Sequence, residues 1–389
     1  MADYETMSDL HKEMTGWRRH LHQNPEFGFE EVQTAAFVAE KLRSFGIEEV
    51  AEGVGGTGVV ATLRAGEGNR AISFRADMDA LRIEEAGESS YRSQTPGVMH
   101  ACGHDGHTTM LLGAAKTLAE TRDFNGVVHL IFQPAEEWGK GMIAMLDDGL
   151  LDRFPHEEAY GLHNWPGLPV GHFETRTGGF MGAEDNFEIR VQGVGGHASR
   201  PHEINDAIVA GSAIVMNLQT IVSRQVDPSQ LAVVSVTEFL SDGTRNAIAG
   251  GVRILGDCRS FDPAVSKRIE EVMRRVALGV GAAHGCSIEV DYSREFVPVV
   301  NDAALTGHAV QAAQMVAAPG NVNSEAAKIG GSEDFARLLA HVPGNFIMMG
   351  NGDSAALHNP SYDFNDDVLP LGIEYFATLA RQRLPVDQK

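Results

Sequence analysis

Short apolar runs in this 389-residue chain repeatedly stop at an acidic or imidazole side chain, and no other feature limits its fold as strongly. Ala71 to Arg75 runs into Asp77 and Asp79. Val127 to Phe132 ends at Gln133-Pro134-Ala135-Glu136-Glu137. Ala159 to Leu162 stops at His163, and Asn345 to Met349 leads through a glycine-containing loop to His358. Such runs read as buried strands. Stretches of helical character lie among them: Asp9 to His22, about Glu30 to Phe45, and the Leu- and Ala-rich Thr108 to Thr121. With Gly58 to Leu63 as a further strand, the alternation predicts an α/β architecture. Open α/β sheets bind ligands beyond the C-terminal ends of their strands, where residues remote in sequence converge.

The middle of the chain follows another rhythm. Asn186 to Val191, Ala232 to Leu240, Val252 to Arg259 and Ser287 to Tyr292 read as strands. Asp206 to Val222 and Lys267 to Val280 read as helices, the second with Ile269, Val272, Met273, Val276 and Val280 at helical spacing. The order β-α-β-β-α-β describes a self-contained sheet with two helices. It predicts an inserted domain at 184–296 within an outer domain made of 1–183 and 297–389. The length independently favours two domains.

A net charge of −22 repels phosphate backbones and anionic lipid, so neither nucleic acid nor a membrane is an expected partner. No apolar run is expected to reach the length of a bilayer span. Three cysteines, Cys102, Cys258 and Cys286, do not make a disulfide framework. Met1 to His11 is acidic and lacks the basic and apolar regions of a signal peptide. The expected location is the cytoplasm. Cys258 and Cys286 lack donor-rich surroundings and read as packing residues. Gly53-Val54-Gly55-Gly56-Thr57-Gly58 precedes a strand instead of joining strand to helix, which argues against phosphate binding.

The chemistry centres on His100-Ala101-Cys102-Gly103-His104-Asp105. In an extended segment, side chains at i and i+2 share a side, so Cys102 and His104 could reach one metal centre. Taken singly, each candidate also has an ordinary structural reading. A buried cysteine is usually a small hydrophobe, Glu136-Glu137 fits a solvated strand end, and His163 and His358 fit structural histidines. The functional reading divides the two carboxylates between metal binding and general base. Cys102, His104, Glu137, His163 and His358 together supply five S, N and O donors, too many for one tetrahedral ion. They suit two divalent ions sharing a bridging ligand, an arrangement that activates water.

The motifs carry a resemblance. Trp17-Arg18-Arg19-His20-Leu21-His22-Gln23-Asn24-Pro25-Glu26, Phe74 to Leu81, Met99 to Thr108, Gln133 to Glu137, Gly195-Gly196-His197-Ala198-Ser199, Gly331-Ser332-Glu333-Asp334-Phe335 and Leu357-His358-Asn359-Pro360 follow one another in a set order. In these the chain resembles the peptidase M20 superfamily, and within it the amidohydrolase branch of hippurate hydrolases, N-acyl-amino-acid deacylases and indole-acetyl-amino-acid hydrolases. The resemblance implies a zinc-peptidase-like α/β catalytic domain with an inserted βαββαβ dimerisation (lid) domain. It makes Cys102, His104, Glu137, His163 and His358 the metal ligands, with Cys102 bridging, and Glu136 the catalytic base. It implies a homodimer or dimer of dimers, in which His197 reaches the partner's active site to stabilise an oxyanion. Asn246 matches a substrate-contacting position.

Many members of that superfamily carry a histidine where this chain has Arg75, and the arginine points to the amidohydrolase branch. Asp77 is then expected to orient a ligand from behind, and Asp105 and His107 to act as local supports. Glu333 and Asp334 are open to either a supporting or a turn-forming role. The expected reaction is hydrolysis of an N-acetyl, N-benzoyl or aryl-acetyl amino acid to a carboxylic acid and a free amino acid. A dipeptidase or carboxypeptidase of the same superfamily, or a non-catalytic metal-binding protein, is the alternative. The thiolate favours zinc, while manganese, cobalt and nickel also occur in the family.

Overall fold

The computed structural model describes residues 4–386, with side chains from Asp9 onward, so the acidic Met1 to His11 segment lies in part outside the described residues. The chain divides into two compact units. One comprises Met1–Gly178, Val300–Ala327 and Asp334–Lys389, the other Gly179–Val299 and Lys328–Glu333. The insertion is therefore wider than 184–296 and takes in a short later segment. Hydrogen bonds explain why. Gly182 N–H donates to the carbonyls of Ile329 and Gly331 at 3.0 and 2.9 Å, and the Arg259 guanidinium donates to Ser332 Oγ at 3.0 Å.

The first unit is built on an eight-stranded sheet. In spatial order its strands are Glu49–Val54, Gly58–Ala65, Gly126–Gln133, Ala71–Asp77, Glu158–Pro166, Gly344–Gly352, Phe173–Glu174 and Val322–Asn323. Ala71–Asp77 runs parallel to both Gly126–Gln133 and Glu158–Pro166, and Gly344–Gly352 runs parallel to Glu158–Pro166. Ala71–Asp77 and Gly126–Gln133 are buried at every position, as strands covered on both faces must be. Side chains alternate between the faces. Ile72, Phe74 and Ala76 enter the main core with Leu111, Leu112 and Ala115 of helix His104–Thr121 and Phe376 and Leu379 of helix Leu369–Arg383. Arg75 faces the other way and lies under the Phe335 ring, 5.7 Å from its centroid.

Two local expectations are corrected here. The helix expected from Thr108 begins at His104, and the strand expected to stop at Leu162 continues through His163 to Pro166. Strand Glu49–Val54 and helices Ala303–Val316 and Leu369–Arg383 lie outside the predicted elements.

The second unit is a four-stranded antiparallel sheet ordered Ala232–Ser241, Gly251–Ser260, Ala183–Gln192, Ser287–Phe296. Helices Ala207–Thr220 and Pro263–His284 pack against it. Phe187, Ile189 and Val191 alternate with exposed or half-buried positions and meet Ile214, Leu218, Ile269 and Met273 in its core. Cys258 and Cys286 belong to that core. Asp262 caps the longer helix through Ala264 N–H, and Gly285, at φ 68°, ends it. Against expectation, Ala207–Gln225 is long and apolar enough to cross a membrane, with 19 residues at mean hydropathy 1.3. Its buried residues, among them Ala207, Ala210, Ile214, Leu218 and Ile221, pack into the core of this unit. Ile208, Val209 and Met216 on the same helix are exposed.

Candidate metal centre

The segment around Cys102 reaches the site by a turn, not by extended alternation. Gly103 has φ 89°, a left-handed conformation that places His104 at the head of its helix. A Cβ on Gly103 would overlap Asn164 Nδ2 and the Tyr362 hydroxyl, so only glycine fits. Asn164 also donates to the Cys102 carbonyl at 2.7 Å and accepts from Tyr362 at 2.8 Å. The expected same-side geometry of an extended Cys-Gly-His is thus replaced by a pinned turn.

The neighbours of each histidine fix which nitrogen can bind. His104 Nδ1 faces the Asp79 carbonyl at 3.0 Å and Asp79 Oδ1 at 3.1 Å, both acceptors, so Nδ1 carries the proton. Nε2 is thereby turned toward the other donors, buried with no hydrogen-bond partner among the described residues, and is the nitrogen that a proton or a cation would take. His163 Nδ1 donates to the Asn164 carbonyl at 2.6 Å, leaving Nε2 3.5 Å from Cys102 Sγ. His107 is different. Its Nδ1 donates to Asp77 Oδ1 at 2.7 Å, and its Nε2 accepts the Asn164 backbone N–H at 2.9 Å. Both nitrogens are committed, so His107 offers no ligand atom.

Cys102 lies in two donor groups. With His104 and His163 it forms one, and with Glu137 and His358 another, each with its ligand atoms within 4.8 Å of one another. His358 has φ 63°, and its Nε2 is 3.2 Å from Glu137 Oε1. Glu137 Oε1 is nevertheless buried without hydrogen-bond geometry. His104 Nε2 stands 3.9 Å from Glu137 Oε1 and 4.0 Å from Glu136 Oε2, too far for hydrogen bonds.

Electrostatics favour positive charge here. Burial would lower the His104 pKa, but Asp77, then Asp79 and Glu137, outweigh it and raise it to about 10. Burial and the neighbouring carboxylates push the Cys102 thiol up. Burial pushes His163 well down, so it is a neutral imidazole. Orphaned buried lone pairs, a neutral histidine and clustered carboxylates are what divalent cations satisfy. The residues present fit such ions.

The supporting residues differ from expectation. Asp79, and not Asp77, orients His104, and its second oxygen accepts the Glu137 N–H at 3.1 Å. Asp77 instead joins His107 to Arg75, whose Nη1 donates to it at 2.8 Å. Asp105 faces away from the donors. It accepts from His22 Nδ1 at 2.8 Å, because the helix turn that aims His104 at the site sends its neighbour toward the first helix. Asp334 accepts from Gln133 at 2.5 Å, Arg75 at 3.2 Å and Met142 N–H at 2.9 Å. Its own N–H donates to Glu136 Oε1 at 3.4 Å. Glu333 belongs to the other unit.

His197 and Asn246 come together in the second unit. Gly196–His197 pairs antiparallel with Ala247–Ile248, and Ala198 N–H donates to the Asn246 carbonyl at 3.1 Å. Both residues are exposed. His197 Nδ1 accepts the Ser199 N–H at 3.1 Å, so Nε2 is the nitrogen left to meet a ligand.

Residues 73–382 match peptidase family M20/M25/M40. The chain is 38% identical to the hippurate hydrolase of Campylobacter jejuni, over 97% of this chain and 98% of that protein. It is 41% identical to an N-acyl-L-amino acid amidohydrolase of Geobacillus stearothermophilus, over 76% of this chain and 80% of the other. Among solved structures it resembles the YXEP protein of Bacillus subtilis, described as a dinuclear metal-binding peptidase of the M20 family. The TM-score is 0.86 at 33% identity, with 97% of this chain and 99% of that one covered.

Proposed function

Because this chain belongs to peptidase family M20/M25/M40, we propose that it hydrolyses the amide bond of N-acyl amino acids, including N-acetyl, N-benzoyl and aryl-acetyl forms. The observation that carries the reading is the meeting of Cys102, His104, Glu137, His163 and His358 beside a second carboxylate, Glu136. Those five residues would hold two divalent ions per subunit, with Cys102 shared; its thiolate favours zinc, with manganese, cobalt or nickel as alternatives. Such ions, when bound, acidify water and polarise a scissile carbonyl.

Glu136 then supplies the proton traffic. Its Oε1 meets the Asp334 N–H, while Oε2 faces the donors, 4.0 Å from His104 Nε2. From there Oε2 takes the proton of the attacking water and returns it to the departing amide nitrogen. Asp79 keeps the His104 lone pair directed inward. Arg75, locked to Asp77, Gln133 and Asp334, fills the place where a further imidazole ligand would stand.

The first unit is the catalytic domain and the second a dimerisation (lid) domain. Ala232–Ser241 is an edge strand of the second unit with Val233, Phe239 and Leu240 exposed. An uncovered apolar edge of this kind is a template for pairing, and a second copy is the proposed cover. His197 from one subunit, with Asn246 beside it, would then serve the other subunit's site and stabilise the oxyanion. The buried, unpaired cysteines suit a reducing cytoplasm.

The test is a matrix of N-acetyl, N-benzoyl and indole-acetyl amino acids and free dipeptides, repeated with each metal. Turnover confined to the dipeptides would replace the reading with a dipeptidase. Within the active set, Glu136→Gln should keep its metal and lose nearly all turnover, whereas Glu137→Ala should lose both. Near-native kcat in Glu136→Gln would remove the base assignment.

A further inference from the structure

The residue before the two glutamates holds a conformation that its side chain disfavours. Ala135 has φ 47° and ψ 43°, in the left-handed region. The bend has a clear effect. In a continuing strand, adjacent side chains leave on opposite faces, and Glu136 and Glu137 could not both face the donors. The bend ends the strand and begins the tight turn Glu136–Trp138, from which both carboxylates approach His104.

Glu31 meets this bend from outside the donor set. It is fully buried at the head of helix Val32–Ser44, yet its side chain does not cap that helix. Its Oε1 accepts the Ala135 N–H at 2.8 Å, and its Oε2 accepts the Thr57 hydroxyl at 2.5 Å. Glu26 does the capping instead, accepting the Gln33 and Thr34 N–H groups at 3.1 and 2.8 Å. Gly28, between the two, lies against Ala135, where an added Cβ would come within 3.1 Å of the alanine Cβ. Burial raises the Glu31 pKa to about 7, against the hydrogen bond from Thr57. A buried acid is costly to keep, and here its side-chain hydrogen bonds serve one turn and one hydroxyl.

We propose that Glu31 is a positioning residue for the reaction: it holds Ala135 in its left-handed bend and so sets the aim of Glu136 and Glu137. The inference rests on the reading of Glu136 as the base.

The experiment compares Glu31→Ala, Glu31→Asp, Glu31→Gln and the double variant Glu31→Ala/Ala135→Gly. All are assayed at saturating metal on one N-acyl amino acid substrate, with thermal unfolding followed alongside. Glu31→Ala should lower kcat about ten- to a hundredfold, the range typical of lost outer supports, with KM changed less than about threefold. Glu31→Gln keeps an acceptor for the Ala135 N–H and should stay within about threefold of wild type. Glycine adopts the left-handed bend without help, so Ala135→Gly should restore at least about fivefold of the rate lost in Glu31→Ala. A purely structural role would show as lost thermal stability, with no rate recovered by the glycine. If Glu31→Ala fails to fold, Glu31→Asp carries the test, since its shorter side chain retains the acid but falls short of Ala135. Wild-type kcat in Glu31→Ala or Glu31→Asp would overturn the inference, as would an absence of rescue in the folded double variant. A Glu136→Gln enzyme that loses turnover beside an undiminished Glu31→Ala would remove this inference alone. Near-native Glu136→Gln would remove the base assignment as well.

Discussion

Removing the Asp79 carboxylate should weaken metal binding without disturbing the rest of the fold, and its hydrogen bonds set the size of the effect. Asp79 Oδ1 accepts from His104 Nδ1 at 3.1 Å, and Oδ2 accepts the Glu137 N–H at 3.1 Å. In Asp79→Ala the imidazole still has the backbone carbonyl of residue 79, now at 3.0 Å. Its share of the loss therefore falls at the lower end of the roughly 10- to 100-fold range for outer partners of metal ligands. The Glu137 N–H loses its acceptor outright, which adds on the order of 1 kcal/mol, the low end for a buried unpaired group. Together these predict metal affinity reduced by about 2–3 kcal/mol, or roughly 30- to 150-fold. Asp79→Asn should do no better than Asp79→Ala, although it is the closer mimic in shape. An amide has one acceptor where two are needed, and its NH2 group turned toward His104 would favour the tautomer with the proton on Nε2. The assay is competition with a chromogenic chelator at fixed pH, with kcat measured at saturating metal. Asp79→Asn binding metal within about threefold of wild type would refute the tautomer argument.

Three further outcomes follow from the same geometry. Gly103→Ala must accommodate φ 89° and overlap with Asn164 and Tyr362, so it should cost at least about 2 kcal/mol of stability and reduce metal content; an unchanged melting temperature would contradict this. His22 lies buried between Asp105 and Glu85; burial would lower its pKa, but Asp105 prevails and holds it at about 9. That folded value exceeds the unfolded value of about 6.5, so the stabilisation is complete below about pH 6.5 and is lost as pH rises through about 9. Thermal unfolding should therefore decline more steeply over this window in wild type than in His22→Asn, and equal slopes would exclude the pair as the cause. Finally, exchanging subunits of Glu136→Gln and His197→Ala should restore about a quarter of wild-type activity, since half the dimers are mixed and one of their two sites is intact. No recovery after demonstrated exchange would argue against a shared site.

How much of this was legible in the residues varied with the range of the forces involved. The bodies of the main strands follow from continuous apolar runs such as Val127 to Phe132, because full burial on both faces leaves a one-dimensional signature. Glu137 and His163 stand out for a related reason, since a charged or imidazole group where an apolar run breaks off needs a partner; Cys102, His104 and His358 stand out through their motifs. The turn at Gly103 left no such trace. A glycine permits φ 89° but does not announce it, and only Asn164 and Tyr362, both far along the chain, make it necessary. For the same reason the part expected of Asp77 falls to Asp79, and Asp105 turns to His22. Which of several nearby carboxylates meets a given imidazole depends on side-chain direction over one or two residues, below the resolution of periodicity. The spacing Asp77-Met78-Asp79 at a strand end was the available signal for a second supporting carboxylate.

The order of strands in the eight-stranded sheet also bears on how the protein is made. Strand Gly344–Gly352 pairs with Glu158–Pro166, and between them the chain completes the whole inserted unit. During synthesis the insertion, whose strands and helices are consecutive, can finish folding while the sheet around it still lacks an interior strand. Until Gly344–Gly352 arrives, Glu158–Pro166 presents an unpaired apolar edge, and the segment carrying His358 does not yet exist. Closing a separation of this length is slow, and exposed edges in such intermediates are prone to aggregate. The full set of candidate donors is therefore assembled late in synthesis, and expression yield should be more sensitive to defects in strand Gly344–Gly352 than its contribution to the finished core would suggest.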